Sequence, residues 1–313
     1  MNLAEYVERL SRDGVLTLPG ASSTFWVRYE SFGLARLPTF DLSVPERPEL
    51  RRVLWRGHAG VAGYAVQPDE RHPPNAYWYV CADPCFDLGR LAPPVRRHVK
   101  RAERQLRLTP LTADELLAQG LEPFHDTRER NYLSDGTPEV FRGRFARWLD
   151  NSGHQAWGVW SGAKLAGFAT VVCVDDWTEI SGLFSANAFL DVRPNNGLLF
   201  GLLRHYLVTQ KLRLVTFGFS SIQRGSSSHC HGLHVFKTRA GFEARPVHRA
   251  FAIHPLLRPF AQRLTLAALR QLLKLRPGSR RLLKVAGVLT ELADSREPVA
   301  DSDHAFKHTD PFG

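Results

Sequence analysis

Residues 177–221, WTEISGLFSANAFLDVRPNNGLLFGLLRHYLVTQKLRLVTFGFSS, predict a strand, a helix and a second strand in that order. The apolar first segment follows a turn signal at Asp175–Asp176, which favours a strand. Residues 196–210 repeat apolar side chains at helical spacing, just after a proline and an asparagine. The run RLVTFGFSS then predicts the second strand. Strands that alternate with helices indicate an α/β (α+β) fold.

The elements on either side of this segment extend the order. From residue 107 the patterns predict β-α-α-β-β-β-α-β-loop-β, in which the loop is the polar, histidine-rich run GSSSHCHG at 225–232. Before it, residues 1–105 predict a helix over 3–11, short strands that include RRVLWRGHAGVAGYAV (51–66), and a basic helix after Pro93–Pro94.

These changes of pattern divide the chain into four predicted parts. Residues 1–105 form a β-rich N-terminal half that ends in the basic helix, and residues 106–255 form the main α/β domain. Residues 256–294 predict two amphipathic helices with many Arg and Lys on their polar sides. Residues 295–313 are polar and predict a flexible tail.

The composition is that of a globular, basic protein. The 313 residues are 43% hydrophobic and 23% charged, which is enough apolar material for a core, and the formal net charge is +10. A positive charge of this size favours anionic partners. Four scattered cysteines are too few for a disulfide scaffold. Neither a signal peptide nor a membrane span is predicted, so we expect a cytoplasmic protein, with peripheral contact at the inner face of the membrane through 256–290 left open.

Six short stretches, taken with the order of elements, resemble a known family. They are VRRHVKRAERQL (95–106), FHDTRERN (124–131), LAGFATVV (165–172), PNNGLLFGLLRHYL (194–207), LVTFGFSS (214–221) and HVFKTRAGF (234–242). A hairpin, a third strand, a helix and a fourth strand resemble the GNAT acyltransferase fold. Within it, the stretches resemble the branch of Fem aminoacyl transferases and BioF2-like acetyltransferase domains, which places an FK pair shortly before GF. The resemblance covers roughly 90–255.

The resemblance implies a fold and a reaction. It implies a tandem GNAT-like arrangement in which residues 1–105 are a degenerate half, followed by the C-terminal amphipathic helices. The reaction would be transfer of an acyl or aminoacyl group to an amine. Some members of the family use acyl-CoA as donor and others use aminoacyl-tRNA. In the Fem branch the lysine of the FK pair lies near the transfer centre, and the resemblance implies the same position for Lys237.

The start of the predicted central helix is the candidate donor site. A helix N-terminus favours phosphate, and the family pattern there is Arg or Gln, two residues, Gly, one residue, and Gly or Ala. In RPNNGL (193–198), Asn196 and Leu198 stand where glycine or alanine is expected. An Asn N-cap with a packing glycine is the open structural alternative. The donor-binding candidates are Arg193, Asn195, Asn196 and Gly197.

Lys237 and Glu179 are the candidate catalytic residues. A lysine can stabilise the oxyanion of the tetrahedral acyl-transfer intermediate, although a solvated lysine on an edge strand is the alternative. Glu179 is the best carboxylate for taking a proton from an ammonium acceptor, and its alternative is an outward position on an alternating strand. His205 is more typical of helix packing.

Arginines are the candidates for binding an anionic acceptor, because a guanidinium can bind phosphate bidentately. They are Arg101 and Arg104 of the basic helix, together with Arg128. For the basic helix a solvated face is the alternative. The histidines around Cys230 lack a second ligand pair at zinc spacing, so no metal is predicted, and nothing in the sequence indicates a nucleophilic thiol there.

The sequence therefore predicts an N-acyltransferase that transfers an acyl group, from acetyl-CoA or another acyl-CoA, to an amine of a small or anionic acceptor. The alternative enzyme is an aminoacyl-tRNA-dependent Fem-type transferase of cell-wall or lipid modification. A non-catalytic GNAT-fold protein that binds nucleic acid or membrane is the third hypothesis. Expected partners are the small-molecule amine and, as alternative donors, an acyl carrier protein or tRNA.

Overall fold

The structure is a computed structural model that describes residues 1–29, 33–131, 136–146, 153–220 and 228–260, with the side chains of 228–230 and 258–260 left out. The chain divides into two units, Met1–Ala252 and Ile253–Gly313. In the second unit the described part holds a 3₁₀ helix, Pro255–Phe260. Most of the predicted C-terminal helices (256–294) and the whole of the tail (295–313) lie outside the described residues, and the four domain boundaries remain predictions.

The strands and helices of the described residues follow in chain order. The strands are β1 (Thr17–Pro19), β2 (Phe25–Tyr29), β3 (Gly33–Leu37), β4 (Val61–Val66), β5 (Ala76–Cys81), β6 (Arg107–Leu111), β7 (His154–Ser161), β8 (Lys164–Val174), β9 (Trp177–Ser185), β10 (Leu214–Phe219) and β11 (Glu243–Ile253). The helices are α1 (Leu3–Arg12), α2 (Arg47–Arg56), α3 (Pro93–Gln105), α4 (Ala113–Gln119), α5 (Leu121–Arg130), α6 (Pro138–Phe145), α7 (Pro194–Leu203) and α8 (Ser228–Arg239).

All the strands belong to one mixed sheet of order β1-β2-β3-β4-β11-β5-β10-β9-β8-β7-β6. Strands β6 to β9 form an antiparallel meander. Strands β9 and β10 are parallel and are joined through α7, which confirms the predicted strand–helix–strand unit. On its other side β10 pairs antiparallel with β5, which in turn pairs antiparallel with β11. The predicted α/β fold is confirmed.

Helix α7 is the central crossover because its sequence is apolar on nearly every side. Its buried residues are Leu198, Leu199, Phe200, Leu202 and Leu203 together with Pro194. A helix that is apolar all round must be covered on all sides. It packs on the sheet and on α3, where a Cβ added to Gly197 would lie 2.9 Å from the Cβ of Ala102. Gly197 therefore permits the close approach of these two helices.

The hydrophobic residues form clusters on both faces of the sheet. The largest cluster combines α3 and α7 with Tyr79, Ile180 and Val215 of the sheet. A second cluster, with Trp78, Trp177 and Leu214, includes Tyr6 of α1. Because side chains alternate along a strand, neighbours such as Trp78 and Tyr79 mark opposite faces. We call the face that carries Tyr79 and α7 the α7 face, and the face that carries Trp78 and Trp177 the Trp177 face.

Three local predictions were wrong. Residues 51–56 belong to α2 rather than to a strand, because Val53 and Leu54 both pack in a cluster with Trp26. A third helix, α5, follows α4 directly. The histidine-rich loop before Lys237 is instead helix α8 from residue 228, so Lys237 does not lie on an edge strand. Phe236 packs against the α7-face cluster and Ala240, four residues on, is buried in it, which is helical spacing.

No helix within the described ranges is both long enough and apolar enough to cross a bilayer.

Candidate active site

Strands β9 and β10 separate part-way along their length. Their parallel pairing runs through three residue pairs and ends at Glu179 opposite Thr216, although β9 continues to Ser185. Beyond that point the register of β10 against β5 shifts, and Gly218 has a φ of +62°. A bulge of this kind bends a strand away from its neighbour. We call the point where the two strands part the β9–β10 divergence.

Lys237 reaches this divergence from α8. Its Nζ donates a hydrogen bond of 2.8 Å to the carbonyl oxygen of Phe217, which follows the last β10 residue paired with β9. The same Nζ lies 4.2 Å from the ring centres of both Tyr79 and Phe217. An ammonium has three N–H donors, so this arrangement leaves two donors beyond the bond to Phe217. Lys237 is 5% exposed, so it is not a solvated surface charge.

The end of α8 fixes the position of Lys237. The Phe242 N–H donates to the Lys237 carbonyl, and Gly241 ends the helix with a φ of +101°. A Cβ at 241 would lie 2.6 Å from the Phe86 ring, so this turn needs glycine for both its conformation and its space. The FK and GF pairs of the sequence are thus the buried cation and the turn that holds its helix.

Glu179 lies at the same divergence on the Trp177 face, two residues along β9 from Trp177. The Thr39 hydroxyl donates to its Oε2 at 3.3 Å. Burial raises the pKa of Glu179. The hydrogen bond from Thr39 and the charge of Lys237 act in the opposite direction, but their effects are smaller. The pKa of Tyr6 is also raised, first by burial and then by the Glu179 charge, and its hydroxyl lies 3.1 Å from Nε2 of His154.

Burial moves the pKa values of Lys237 and Glu179 toward each other. It lowers the pKa of Lys237 to about 8, and the Glu179 charge opposes that shift. A lysine that titrates near neutrality beside a carboxylate with a raised pKa is typical of sites where protons are transferred. The two predicted catalytic residues are therefore brought into one electrostatic unit, with Lys237 on the α7 face and Glu179 on the other.

The start of α7 is a different kind of environment. Arg193 is its N-cap in the left-handed conformation, with φ +61° and no side-chain cap. The N–H groups of Asn196 and Gly197 both donate to the Arg193 carbonyl, at 3.1 and 3.3 Å, and Pro194 has no N–H. The first turn therefore offers few N–H groups to a phosphate. The Oδ1 atom of Asn195 is buried and has no hydrogen-bond partner among the residues that the structure describes.

Arginine side chains from α3 gather beside this turn. The charges of Arg193, Arg97 and Arg101 all lower the pKa of His98, after burial as the first cause. Arg101 also pairs with Asp191 at 3.1 Å, and both side chains are at least half exposed. The structure thus brings the predicted donor residue Arg193 together with the predicted acceptor residue Arg101. We call Arg97, Arg101 and Arg193 the α3–α7 arginine cluster.

The other predicted residues lie elsewhere. Arg104 is exposed on the last turn of α3. The Arg128 guanidinium lies 5.3 Å from the centre of the Phe124 ring, beside the aromatic core of α5 and α6. His205 packs against Trp157 with ring centres 4.5 Å apart, as its helical position predicts.

In the histidine-rich segment, His234 contacts a residue that surrounds Lys237. His234 Nδ1 lies 3.1 Å from the Tyr79 hydroxyl, so this ring belongs to the wall around Lys237. His229 and Cys230 lie outside the described side chains. Among the described residues, His125, Asp126 and Glu129 on α5 bring three ligand atoms within 4.8 Å. Asp126 already accepts a 2.6 Å bond from the Asn187 N–H.

Sequence reasoning missed the residues that surround Lys237 and Glu179. Thr39 follows β3 and is 140 positions from Glu179, so no local pattern connects them. Tyr79 and Phe217 look like ordinary core positions of apolar strands. The glycine of TFGFSS, which interrupts an apolar strand, is the one signal that marks the bulge at the divergence.

Solved structures share this architecture. FemX matches with a TM-score of 0.58 at 10% identity, over 83% of this chain and 94% of that one. The chain has a GNAT-like fold of the Fem type. The C-terminal domain of an Agrobacterium fabrum protein provisionally named a lysylphosphatidylglycerol synthetase matches with a TM-score of 0.51 at 13% identity, over 79% of this chain and 90% of that one.

One further solved structure is similar at a lower TM-score. A tandem GNAT protein from the clavulanic acid biosynthesis pathway matches with a TM-score of 0.42 at 14% identity, over 74% of this chain and 78% of that one. No protein-family model matches the sequence, and no curated protein matches it either.

Proposed function

We propose that this protein is an N-acyltransferase, which moves an acyl group from a thioester donor to an amine at the β9–β10 divergence. The observation that supports the proposal is that a buried lysine and a buried carboxylate both lie at that point of a Fem-type fold, near enough for each charge to shift the pKa of the other. The FemX match shows the fold alone, and the reaction class is our inference from the residues.

In the proposed reaction Glu179 takes a proton from the ammonium group of the acceptor. The free amine nitrogen then attacks the carbonyl carbon of the thioester and forms the new C–N bond. The C–S bond breaks, the thiolate takes the second proton from the nitrogen, and the amide and a free thiol leave. Over the cycle one proton passes from Glu179 to solvent. A carboxylate with a raised pKa is a stronger base for the first step than an ordinary one.

Lys237 has the complementary role in this mechanism. The carbonyl oxygen gains negative charge in the tetrahedral intermediate, and the ammonium at the divergence offers two further N–H donors beside its bond to Phe217. Because Lys237 is buried, its charge acts through little water and stabilises the oxyanion more than an exposed lysine would. At pH 7 a group with a pKa of about 8 is still mainly protonated, as this role requires.

For the donor we propose acyl-CoA, with its phosphates held by the α3–α7 arginine cluster. Arg193 and Arg101 face the start of α7, which follows β9 through Asn187–Val192. The first-turn N–H groups of α7 are largely engaged, so arginine side chains would provide most of the phosphate contacts. This engagement also favours a second candidate donor, aminoacyl-tRNA, whose backbone phosphates are contacted by exposed arginines rather than by a backbone cradle.

The test is turnover by the full chain with a panel of primary amines. Acetyl-CoA and longer acyl-CoAs would be supplied in one series and aminoacyl-tRNA in another, and amide formation would be followed by mass spectrometry. Amide product and free thiol in a one-to-one ratio with an acyl-CoA are expected. Product in the tRNA series alone would replace the proposed donor. No product in either series, with folding verified, would refute the proposed acyltransferase and leave the non-catalytic hypothesis.

A further inference from the structure

Arg249 on β11 places a guanidinium among aromatic side chains. Its Cζ lies 5.8 Å from the centre of the Phe219 ring and 5.9 Å from that of Phe251. Its Nη1 donates to the Ser220 carbonyl at 3.1 Å. Burial lowers the pKa of the guanidinium, and the neighbouring Tyr29 raises it. The Arg249 side chain is half-buried among these rings.

Arg249 forms no ion pair with any Asp or Glu of the described ranges. Within those ranges, the Ser220 carbonyl is the acceptor that its guanidinium contacts. A guanidinium has five N–H donors, so most of its hydrogen-bonding capacity is open to a ligand. Shielding even part of a charge from water without a counter-charge is costly, and a ligand that supplies the anion offsets this cost.

The backbone around Arg249 is fixed by one side chain. Asn75 accepts from the Arg249 N–H at 2.7 Å and donates to the Arg249 carbonyl at 3.1 Å. The Asn75 N–H also donates to the carbonyl of Val247 at 3.1 Å. These bonds continue the strand pairing just before β5 begins at Ala76. The arginine is therefore held on a rigid strand, as a binding residue should be.

Arg249 lies on the same face of the sheet as Glu179. Val247, two residues before it, packs in the Trp177-face cluster, as does Trp177, two residues before Glu179. Phe219, whose ring the guanidinium faces, packs against that cluster too. Ser220 follows Thr216, the partner of Glu179, by four residues, which is at most about 13 Å of strand. One small molecule can reach from one group to the other.

We propose that Arg249 is an anion-binding residue of the acceptor site, and that the acceptor amine carries a carboxylate or phosphate group on the order of 10 Å from its nitrogen. The assignment of this anion to the acceptor rests on the proposed function, whereas the anion site itself does not. The anion would take the open N–H donors of Arg249, while the amine lies at Glu179. The guanidinium stays charged at any physiological pH, so the anion site would not titrate with the catalytic pair.

A binding experiment tests the anion site without any turnover. The full chain would be titrated with inorganic phosphate and, separately, with acetate, at constant ionic strength set with chloride, and the rise in melting temperature would give the affinity. We expect Arg249→Gln to weaken phosphate binding about tenfold or more, because a charge-assisted bond is lost. The matched control is Arg245→Gln, on the same strand and face, where the arginine already pairs with Glu243.

Each outcome of the titration decides the proposal. Saturable binding that is lost in Arg249→Gln and kept in Arg245→Gln supports it. It is overturned if wild type shows no saturable binding of either anion, if Arg249→Gln binds as wild type does, or if Arg245→Gln loses as much. Loss of all binding in Arg193→Gln, with Arg249→Gln unchanged, would assign the anion to the α3–α7 arginine cluster instead. Should Arg249→Gln fail to fold, Arg249→Lys replaces it, with a loss of about tenfold expected because lysine lacks the planar fork.

Turnover distinguishes the two sources of the anion. With an acyl-CoA donor, 6-aminohexanoate and 6-aminohexyl phosphate would be compared with hexylamine, which lacks an anionic group. We expect kcat/KM to be about tenfold higher for the anionic amine that fits the site than for hexylamine, and we expect Arg249→Gln, but not Arg245→Gln, to abolish this preference. A preference that survives Arg249→Gln contradicts the proposal. If wild type turns over no acceptor but binds phosphate through Arg249, the proposed acyltransferase fails and the anion site stands.

Discussion

The β9–β10 divergence and the α3–α7 arginine cluster hold their charges in opposite ways. At the divergence one lysine and one glutamate are enclosed by aromatic rings and backbone, and the pKa values of both are displaced by burial. In the cluster, several arginines lie together at the surface, and Arg101 pairs with Asp191 in solvent. The two regions are linked by β9 and the short helix Asn187–Val192.

The difference indicates a division of labour. A charge in a low-dielectric setting acts strongly on a reacting atom a few ångströms away, but it cannot attract a distant ligand well. Exposed arginines act weakly at each contact but over about a Debye length, which suits the capture of a polyanionic donor. We therefore expect changes at the divergence to alter kcat, and changes in the cluster to alter KM and its dependence on salt.

Replacing Lys237 should have the largest effect. We expect Lys237→Ala to lower kcat by about 10³-fold, since removing one oxyanion donor from a buried site costs about 10²–10³ or more. The KM for the donor should change little, because the lysine acts mainly in the transition state. Steady-state kinetics with the active donor would measure both constants.

The control for Lys237→Ala is Arg239→Ala, two residues later on α8 and exposed. That variant should keep wild-type kcat. If Lys237→Ala folds normally and turns over at the wild-type rate, Lys237 has no catalytic role, and its burial at the divergence serves packing alone.

The stability of the protein should report the buried charge directly. The folded pKa of Lys237, about 8, lies below its ordinary value of 10.5, so between these pH values the unfolded chain binds more protons than the folded one. The free energy of unfolding therefore rises with pH through that window, by about 3 kcal/mol in total. Lys237→Met, which removes the titrating group and keeps an apolar stem, should abolish the rise.

Chemical denaturation at pH 7.5, 8.5 and 9.5 covers the lower part of that window, over which about 2 kcal/mol of the rise is expected. The other lysines and tyrosines titrate alike in both proteins, so the difference between wild type and Lys237→Met isolates residue 237. Parallel curves for the two proteins would mean that the Lys237 ammonium is no more costly to the fold than an exposed one.

The same contrast explains which features the sequence could predict. The strand–helix–strand unit was predictable because residues 196–210 are apolar at helical spacing and lie between two strand-like runs. Lys237 and Glu179 were predictable only as two separate candidates. Their meeting depends on a parallel crossover and on the bulge of β10, which are tertiary properties.

Other features could not be predicted from local patterns. The start of α8, residues 228–232, was expected to belong to a loop, because histidines, serines and a glycine weaken the helical signal. In the fold, the packing of Phe236 and the burial of Ala240 stabilise the helix. Residues 51–56 were expected to be a strand, since a six-residue apolar and basic run fits either period. The arginine cluster was visible as charge, but the position of Arg193 beside α3 required the structure.

Glu179→Gln should be the next largest change. The amide keeps the shape of the side chain and removes its basicity, so we expect kcat to fall about 10²-fold near neutral pH. Raising the pH toward the pKa of the acceptor's ammonium group supplies free amine, which needs no deprotonation by the enzyme. A higher pH should therefore restore part of the kcat that Glu179→Gln loses. A pH–rate profile of both proteins measures this rescue.

Glu243→Gln is the matched control for Glu179→Gln, because Glu243 is an exposed carboxylate that pairs with Arg245 on β11. It should leave the profile unchanged. A Glu179→Gln enzyme with the wild-type rate across the whole pH range would assign proton removal to another group.

Changes in the arginine cluster should have the smallest effect and a different form. We expect Arg101→Gln and Arg193→Gln together to raise the KM for the donor about tenfold at low salt, with kcat retained, because exposed charge pairs each contribute about 1 kcal/mol or less. Raising the ionic strength should shrink the deficit, since salt screens the same contacts in wild type. Arg52→Gln and Arg12→Gln, at exposed arginines of α2 and α1, control for net charge. A fall in kcat that salt does not relieve would instead place these arginines at the reacting atoms, and the division between a buried reaction centre and an exposed capture surface would no longer hold.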